Sequence, residues 1–405
     1  MARAPGPRLT FRSAIEGDLD RLITIHTSAF PDPRGHAERR TNFTHNCRGS
    51  LADLVVAEAA GRIVAHAFLF AERAHFGGKE AAVGAIASVG VAQEARGQGV
   101  GRALVEELHR RSDDRGDALT LLYPFRSAFY AKLGYGPVSP YRRLVVAPSS
   151  IPRAWSLAAR DAGVREMRGG DKKVVMHLYE EVAKTKTGRL ARSYSFWEKR
   201  FSDERRAFFV VEQAGAIVGY ACLALEQAEP HAKTTLDAEE IVAKDDAVRR
   251  LLFGLVGAQR DQVAAVALEL DETDPIDRAF VDPDASTFGD AIVEHPYGRI
   301  ANGPMVRVHD PKRALEARGY ASDGECVLDV EGESFALVVT KKRAKSRKTK
   351  AIADLSLSRS AFASLLFGAI RPSHLVTAGL AHAPGETAGL DALFTLPPFF
   401  ALDPF

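Results

Sequence analysis

The stretch SVGVAQEARGQGVGRALVEEL, Ser88 to Leu108, decides how this chain is read. It opens as a β-rich run, passes through Gly97, Gly99 and Gly101, and ends where Leu104, Val105 and Leu108 give a helix its apolar stripe. Such a turn exposes the first N–H groups of the helix at its positive end, which suits an anion. The missing Cβ atoms let a ligand come close to the backbone, and Arg96 and Arg102 add positive charge. No Gly-Lys-Ser/Thr follows, so this is not a P-loop, and the spacing and acidic ribose partner of the dinucleotide fingerprint are missing. A diphosphate fits the turn; a plain strand-to-helix connection fits it too.

Outward from this turn the chain alternates strands and helices. Upstream lie a short strand (LTFRSA), a helix near 17–29 and a hairpin, DLVVAEAAGRIVAHAFLF, turning at Gly61. Downstream are a strand, ALTLLYP, and a short helix, SAFYAKLG, stopped by Gly134. The hairpin recurs 154 residues later: VVAEAAGRIVAHAFL (Val55–Leu69) aligns with FVVEQAGAIVGYACL (Phe209–Leu223), identical at eight of fifteen positions. A strand, a helix and a strand follow the second copy as they follow the first, which predicts a tandem repeat of one α/β unit. The copies differ at the turn. In the second, AKDDAVRRL enters its helix with Asp245 and Asp246 and without glycine, and two carboxylates repel a diphosphate.

From about Ala321 the texture changes to alternating strands (CVLDV, SFALVVT, IADLSL) and an apolar helix (RSAFASLLFGAI), which predicts a third, α+β domain. Within it KKRAKSRKTK, Lys341 to Lys350, carries seven Lys or Arg in ten residues and is predicted to be a solvated hairpin loop. Nothing aromatic interleaves it, so no nucleic-acid site is predicted. The chain ends TLPPFFALDPF, Thr395 to Phe405, an apolar, proline-stiffened segment that predicts a docked terminus where most chains fray.

Composition bounds the rest. The 405 residues are 46% hydrophobic and 26% charged, enough for two or three ordinary domains, and a net charge of +2 gives no global field. Three scattered cysteines, Cys47, Cys222 and Cys326, fit neither a disulfide framework nor a Cys-rich zinc site. The twelve histidines contain no H-E-x-x-H or closely spaced pair, so no metal is assigned. No apolar run approaches the roughly 18 residues of a membrane span, and the start lacks a signal-like apolar region. A cytoplasmic protein is expected, with no membrane partner.

Arg96, Gly99 and Gly101 spell R-x-x-G-x-G, which resembles the cofactor element of the GNAT N-acetyltransferases, and FYAKLGYG, Phe129 to Gly136, resembles that family's second signature. Two such units in tandem before an α+β domain narrow the resemblance to the Eis (enhanced intracellular survival) family, whose last domain is similar to a sterol carrier protein. The resemblance covers nearly the whole chain. It implies an α/β and α+β fold: a catalytic GNAT domain at 1–150, a degenerate one at 151–305, each a mixed central sheet flanked by helices, and a sterol-carrier-like domain at 306–405.

It also implies a chemistry, acetyl transfer from acetyl-CoA to a primary amine. The backbone of Arg96, Gly97, Gln98, Gly99, Val100, Gly101 and Arg102 would hold the pyrophosphate, and main-chain groups of Val89 and Val91 would align the pantetheine arm and thioester. Tyr130 is the implied general acid and the terminal carboxylate of Phe405 the implied base, with Asp32 beside the amine. The acceptor class is an aminoglycoside-like polyamine, a lysine side chain or a small amine, and relatives imply a hexamer. The chain departs from the family in placing Pro404 where an acidic residue can stand. A lipid or sterol carrier acting through RSAFASLLFGAI and LPPFF is the alternative from a different class; it leaves ARGQGVGRAL unexplained.

Overall fold

A computed structural model describes residues 8–31, 33–138, 140–226, 234–283, 297–401 and 403. The first part of the chain runs β1 (Leu9–Ser13), α1 (Leu19–Ala29), α2 (His36–Thr44), β2 (Leu54–Ala59), β3 (Arg62–Phe76), β4 (Lys79–Val91), α3 (Val100–Arg115), β5 (Leu119–Leu122), α4 (Ser127–Ala131) and β6 (Gly136–Pro137). Then come β7 (Pro140–Val146), α5 (Arg153–Asp161), β8 (Val164–Glu166), α6 (Lys172–Ala183), α7 (Tyr194–Phe201), β9 (Arg206–Gln213), β10 (Ala216–Glu226), β11 (Thr235–Ala243), α8 (Asp246–Gly257), β12 (Ala265–Asp271) and β13 (Gly298–Asn302). The last part holds β14 (Met305–Val308), α9 (Pro311–Ala317), β15 (Gly324–Val330), β16 (Glu333–Thr340), β17 (Arg343–Lys348), β18 (Leu355–Leu357), α10 (Arg359–Leu366), α11 (Pro372–Thr377), β19 (Ala381–His382) and α12 (Ala388–Phe394).

The repeat is real at the level of side chains. Both hairpins turn on an Ala-Gly pair with positive φ at each residue, Ala60 (48°) and Gly61 (74°), Ala214 (49°) and Gly215 (78°), the geometry that matches the twist of two paired strands. Each unit also builds the same ionic triad. Arg12 pairs with Asp18 and Glu58 at 2.6 Å each, and Arg165 pairs with Asp171 and Glu212 at 2.7 Å each. In both, the Asp also accepts from a backbone N–H at the entry to the first helix, Ile15 and Arg168 respectively. The arginines hold Asp18 and Asp171 below the usual carboxylate range.

The sheets do not respect the expected boundaries. The first has seven strands in the order β1-β2-β3-β4-β5-β14-β6, so its sixth position is filled by Met305–Val308, antiparallel to β5. The second, β13-β7-β12-β11-β10-β9-β8, takes in Pro140–Val146, antiparallel to β12. The expected cuts at 150 and 305 leave β7 in the first domain, away from its partner β12, and divide β14 between Met305 and Val306. Compactness divides the chain the same way, 1–138 with 304–397 and 403–405 in one unit, 139–303 with 398–402 in the other.

In the first unit α3 buries Leu104, Val105 and Leu108 completely against the sheet, and α1 buries Leu19, Leu22, Ile23 and Ile25. The carboxy-terminal sheet, β17-β16-β15-β18-β19, belongs to the same unit. Its helix α10 packs on β6 and β14, and Ser360 and Ser364 donate their hydroxyls to the carbonyls of Tyr135 and Pro137 at 2.8 and 2.7 Å. The basic run is not a loop. Only Lys341 and Lys342 form the turn, their N–H groups held by the Asp323 carboxylate, and Arg343–Lys348 is an edge strand. A row of cations on an edge discourages pairing with another chain.

Candidate active site

Strand β4 and helix α3 meet at the glycine turn. Gly97 and Gly99 have φ of 77° and 86°, a region costly to any residue with a Cβ, and Gly99 stands at the N-cap of α3 with no side chain to cap it. The first N–H groups of α3 therefore have no capping side chain from Gly99, and the positive end of the helix lies behind them. The arginines have other partners. Arg96 donates to the carbonyls of Val91 and Ser28, both at 3.1 Å, which fastens the turn to β4 and α1. Arg102 pairs with Glu106 at 2.8 Å. With both arginine side chains so engaged, the turn offers an anion its backbone more than these side chains.

Strand β4 opens beside it. It pairs with β5 only from Val83 to Ile86, and its register with β3 breaks between the pairs Phe68–Ala87 and His66–Gly90. Ser88 adopts a φ of 52° in this bulge. From Ala87 onward β4 thus has a strand neighbour on one side only, and Val89 lies inside the bulge. His66 fills the space under Gly90, where a Cβ would lie 2.7 Å from its Nε2. Burial, and then the neighbouring His26, push the His66 pKa down to about 3, so the ring is neutral.

The two sequence signatures meet at Gly101. A Cβ there would stand 3.3 Å from Val91 Cγ2 and 4.0 Å from Phe129 Cζ. Tyr130, next along α4, is 2% exposed and held edge-on by Phe125, Phe129 and Tyr135 at centroid distances of 5.7, 5.0 and 5.7 Å. Burial pushes its phenol up to about 12, so it keeps its proton at neutral pH. Tyr135 is differently engaged: its hydroxyl is hydrogen-bonded to His109 Nε2 and Thr120 Oγ1, both at 2.9 Å, within the core.

Two expected site residues, Asp32 and Phe405, lie outside the described residues. The tail shows itself at Asp403, which is 3% exposed; Arg48 Nη2 donates to its carbonyl at 3.5 Å and Arg48 Nη1 to Glu72 at 2.9 Å. Sequence reasoning missed Arg48, Glu72 and the Ser88 bulge. None belongs to a motif, and a bulge is set by pairing register, which residue types do not announce.

The second unit fills the same places differently. Its helix α8 is capped by Asp245, whose side chain accepts from Val248 N at 2.9 Å. Strand β11 also breaks register, beside Cys222 and Leu223, yet no residue of β11 has a positive φ. There Glu240 meets Arg192 at 2.9 Å, with side chains 1% and 2% exposed, and Arg200 reaches Glu239 and Glu240 at 3.3 and 3.4 Å. The Arg192 guanidinium lies 3.8 Å from the Tyr179 ring centre.

Family models match this chain in three consecutive pieces: an acetyltransferase (GNAT) domain at residues 10–138, a second acetyltransferase (GNAT) domain at 188–308 and a sterol carrier protein domain at 311–401. The N-acetyltransferases Eis of Mycobacterium bovis and Mycobacterium tuberculosis are 26% identical over 312 residues, 72% of each chain. Among solved structures, a GCN5-related N-acetyltransferase from Anabaena variabilis superposes with a TM-score of 0.83 at 20% identity, covering 98% of this chain and 100% of that one. Eis1 from Mycobacterium abscessus does so with a TM-score of 0.76 at 20% identity and the same coverage; these likenesses concern the fold. The chain thus carries two acetyltransferase (GNAT) domains in tandem with a sterol carrier protein domain behind them, and the N-acetyltransferases Eis are among its homologues.

Proposed function

We propose that the chain moves an acetyl group from acetyl-CoA to a primary amine at one site, in the first unit. The observation that carries this is the uncapped start of α3 on a glycine turn, beside the open edge of β4. Backbone groups of Arg96 to Arg102 take the pyrophosphate, and main-chain groups of Val89 and Val91 take the pantetheine arm; the Val91 carbonyl already holds Arg96, which leaves Val89 in the bulge as the freer of the two.

An amine with a pKa of about 10.4 arrives protonated and must lose that proton before attack. The Phe405 carboxylate is the proposed base, directly or through water, and Asp32 steadies the amine. Attack expels the CoA sulfur, whose pKa is about 8.5 if it behaves like cysteine. Tyr130 is a weaker acid than that thiol, so its contribution is a hydrogen bond that strengthens as charge gathers on sulfur, with the amine's proton completing the exchange. No covalent enzyme intermediate is needed. The acceptor is read as a polyamine, a lysine side chain or a small amine.

Calorimetric titration with acetyl-CoA is expected to give one site per chain, and thiol release with a panel of amines names the acceptor. Two sites per chain, or none, would overturn the reading. Light scattering checks the hexamer implied by relatives.

A further inference from the structure

The buried Asp403 is gripped by an arginine. Arg48 follows α2, and Glu72 lies on β3; their side chains are only 8% and 11% exposed. The guanidinium donates one arm to Glu72 at 2.9 Å and another to the Asp403 carbonyl at 3.5 Å. Burial pushes the Glu72 pKa up and Arg48 pulls it back, with the Asp403 carboxylate adding a smaller push upward. One cation thus stands among two acids that would otherwise repel each other in a place shielded from water. A mere surface tail has no such arrangement.

The segment before it is fixed as well. In the second unit Phe399 is 3% exposed and bridges to Thr187, whose carbonyl accepts from Phe400 N at 2.9 Å. Gly188, at a φ of 90°, leaves the room Phe399 occupies, since a Cβ there would lie 2.7 Å from the ring. Only Pro404 and Phe405 follow Asp403. Proline fixes its own φ near −65° and restricts the residue before it. Two residues span at most about 7 Å, so the place of Asp403 bounds how far the Phe405 carboxylate can reach.

We propose that Arg48, locked by Glu72, is a positioning residue for the chain terminus: by holding the Asp403 carbonyl it sets where the last carboxylate stands. This rests on the reading of that carboxylate as the base. Arg48 itself moves no proton and need not touch acetyl-CoA or the amine. The distinction from a purely structural ion pair is that its loss acts through the tail and through turnover, not through cofactor binding.

The test uses the full chain with three variants. Arg48→Ala removes the grip, Arg48→Lys keeps charge but not the two-armed fork, and Arg48→Met with Glu72→Gln removes the grip without stranding a buried carboxylate. Hydrogen exchange of the 395–405 peptide should rise at least about tenfold in the first and third variants, with α3 unchanged. Their kcat should fall by about 10²-fold, as displacement by an ångström can cause, with KM for acetyl-CoA unmoved, and Arg48→Lys should recover part of it. A single glycine added after Phe405 should lower kcat as well, and removing Arg48 from that extended chain should add little further. Unchanged tail exchange, or fully additive losses in the extended chain, would overturn the grip. If the extension alone leaves turnover intact, the base is elsewhere and the reading of Phe405 fails, while tail exchange still decides the role of Arg48.

Discussion

The two GNAT units begin the same kind of helix after the same kind of strand, and they answer the same electrostatic problem in opposite ways. In the first, Gly99 leaves the N-terminus of α3 without a side-chain cap. In the second, Asp245 caps α8 with its own carboxylate. A helix start needs an acceptor for its N–H groups; one unit carries none on its N-cap residue and the other supplies it from Asp245. The neighbouring strand follows suit. Around β4 and β5 the first unit buries neutral rings, His66 and His109, whereas the second buries Arg192 against Glu240. The two units share their hairpin turns and Arg–Asp–Glu triads and differ in what stands at the helix start and in the strand beside it.

The sharpest way to break the comparison is to give the first unit the second unit's answer. Gly99→Asp puts a carboxylate at the start of α3 at a φ of 86°, which Asp tolerates better than most residues. Two or three charge-assisted hydrogen bonds to the pyrophosphate would be lost, about 10³-fold or more in affinity. Acetyl-CoA titration should show no binding while circular dichroism stays that of the parent and stability falls only by the roughly 1–2 kcal/mol that a left-handed residue costs. Undiminished binding would mean that the turn is only a connection.

Next in size is the contrast between the two tyrosines of FYAKLGYG. Tyr130→Phe keeps the ring packing among Phe125, Phe129 and Tyr135 and removes a hydroxyl, so kcat should fall by about 10²-fold with the Michaelis constants little changed. Tyr135→Phe should keep kcat within a few-fold but strand His109 Nε2 and Thr120 Oγ1, at a cost of about 1–3 kcal/mol in a melting experiment. Equal losses of turnover in both variants would make Tyr130 structural.

Acid should expose the neutral histidines. Arg307 donates to His309 Nδ1, leaving its Nε2 to donate to Ser112, which donates to Asp117. Burial, and then Arg307, lower His109 to about 3 and His309 to about 4. Both values lie below the unfolded value of about 6.5, so the native state binds fewer protons; stability is full above pH 6.5 and falls as pH drops toward 4. Each histidine contributes a slope of about 1.4 kcal/mol per pH unit. Denaturant unfolding from pH 7.5 to 4.5 measures it, and His309→Gln should flatten the curve.

How far this was legible depends on range. The glycine turn, both hairpins and FYAKLGYG are local, and each carries its reason in adjacent residues. The triads were not legible, because Glu58 lies 46 residues beyond Arg12 and nothing local links them. Strand β14 was hidden for a similar reason: Met305–Val308 is four residues long, and its place between β5 and β6 is fixed by pairing across the intervening unit's sequence. The docked tail was legible from TLPPFFALDPF, yet its grip by Arg48 was not, since an isolated arginine after a helix resembles any exposed one until Glu72 and Asp403 come to meet it.

The smallest effect tests the second unit's side of the comparison. Asp245→Ala removes the carboxylate that accepts from Val248 N, and an N-cap of this kind is worth about 1 kcal/mol. Melting should drop by the few degrees that such a loss implies, with acetyl-CoA turnover unchanged. Opening the helix start in this way does not recreate the first site. Val248 and Leu252 close over Gly219, where a Cβ would lie 2.5 and 3.2 Å from their side chains, and Glu239 and Glu240 stay paired with arginines in the strand beside it. Calorimetry on Asp245→Ala should therefore still count one acetyl-CoA per chain. A second binding event would show that the cap alone had closed the site, and that the buried ion pairs of β11 are an ordinary core with no part in the difference between the units.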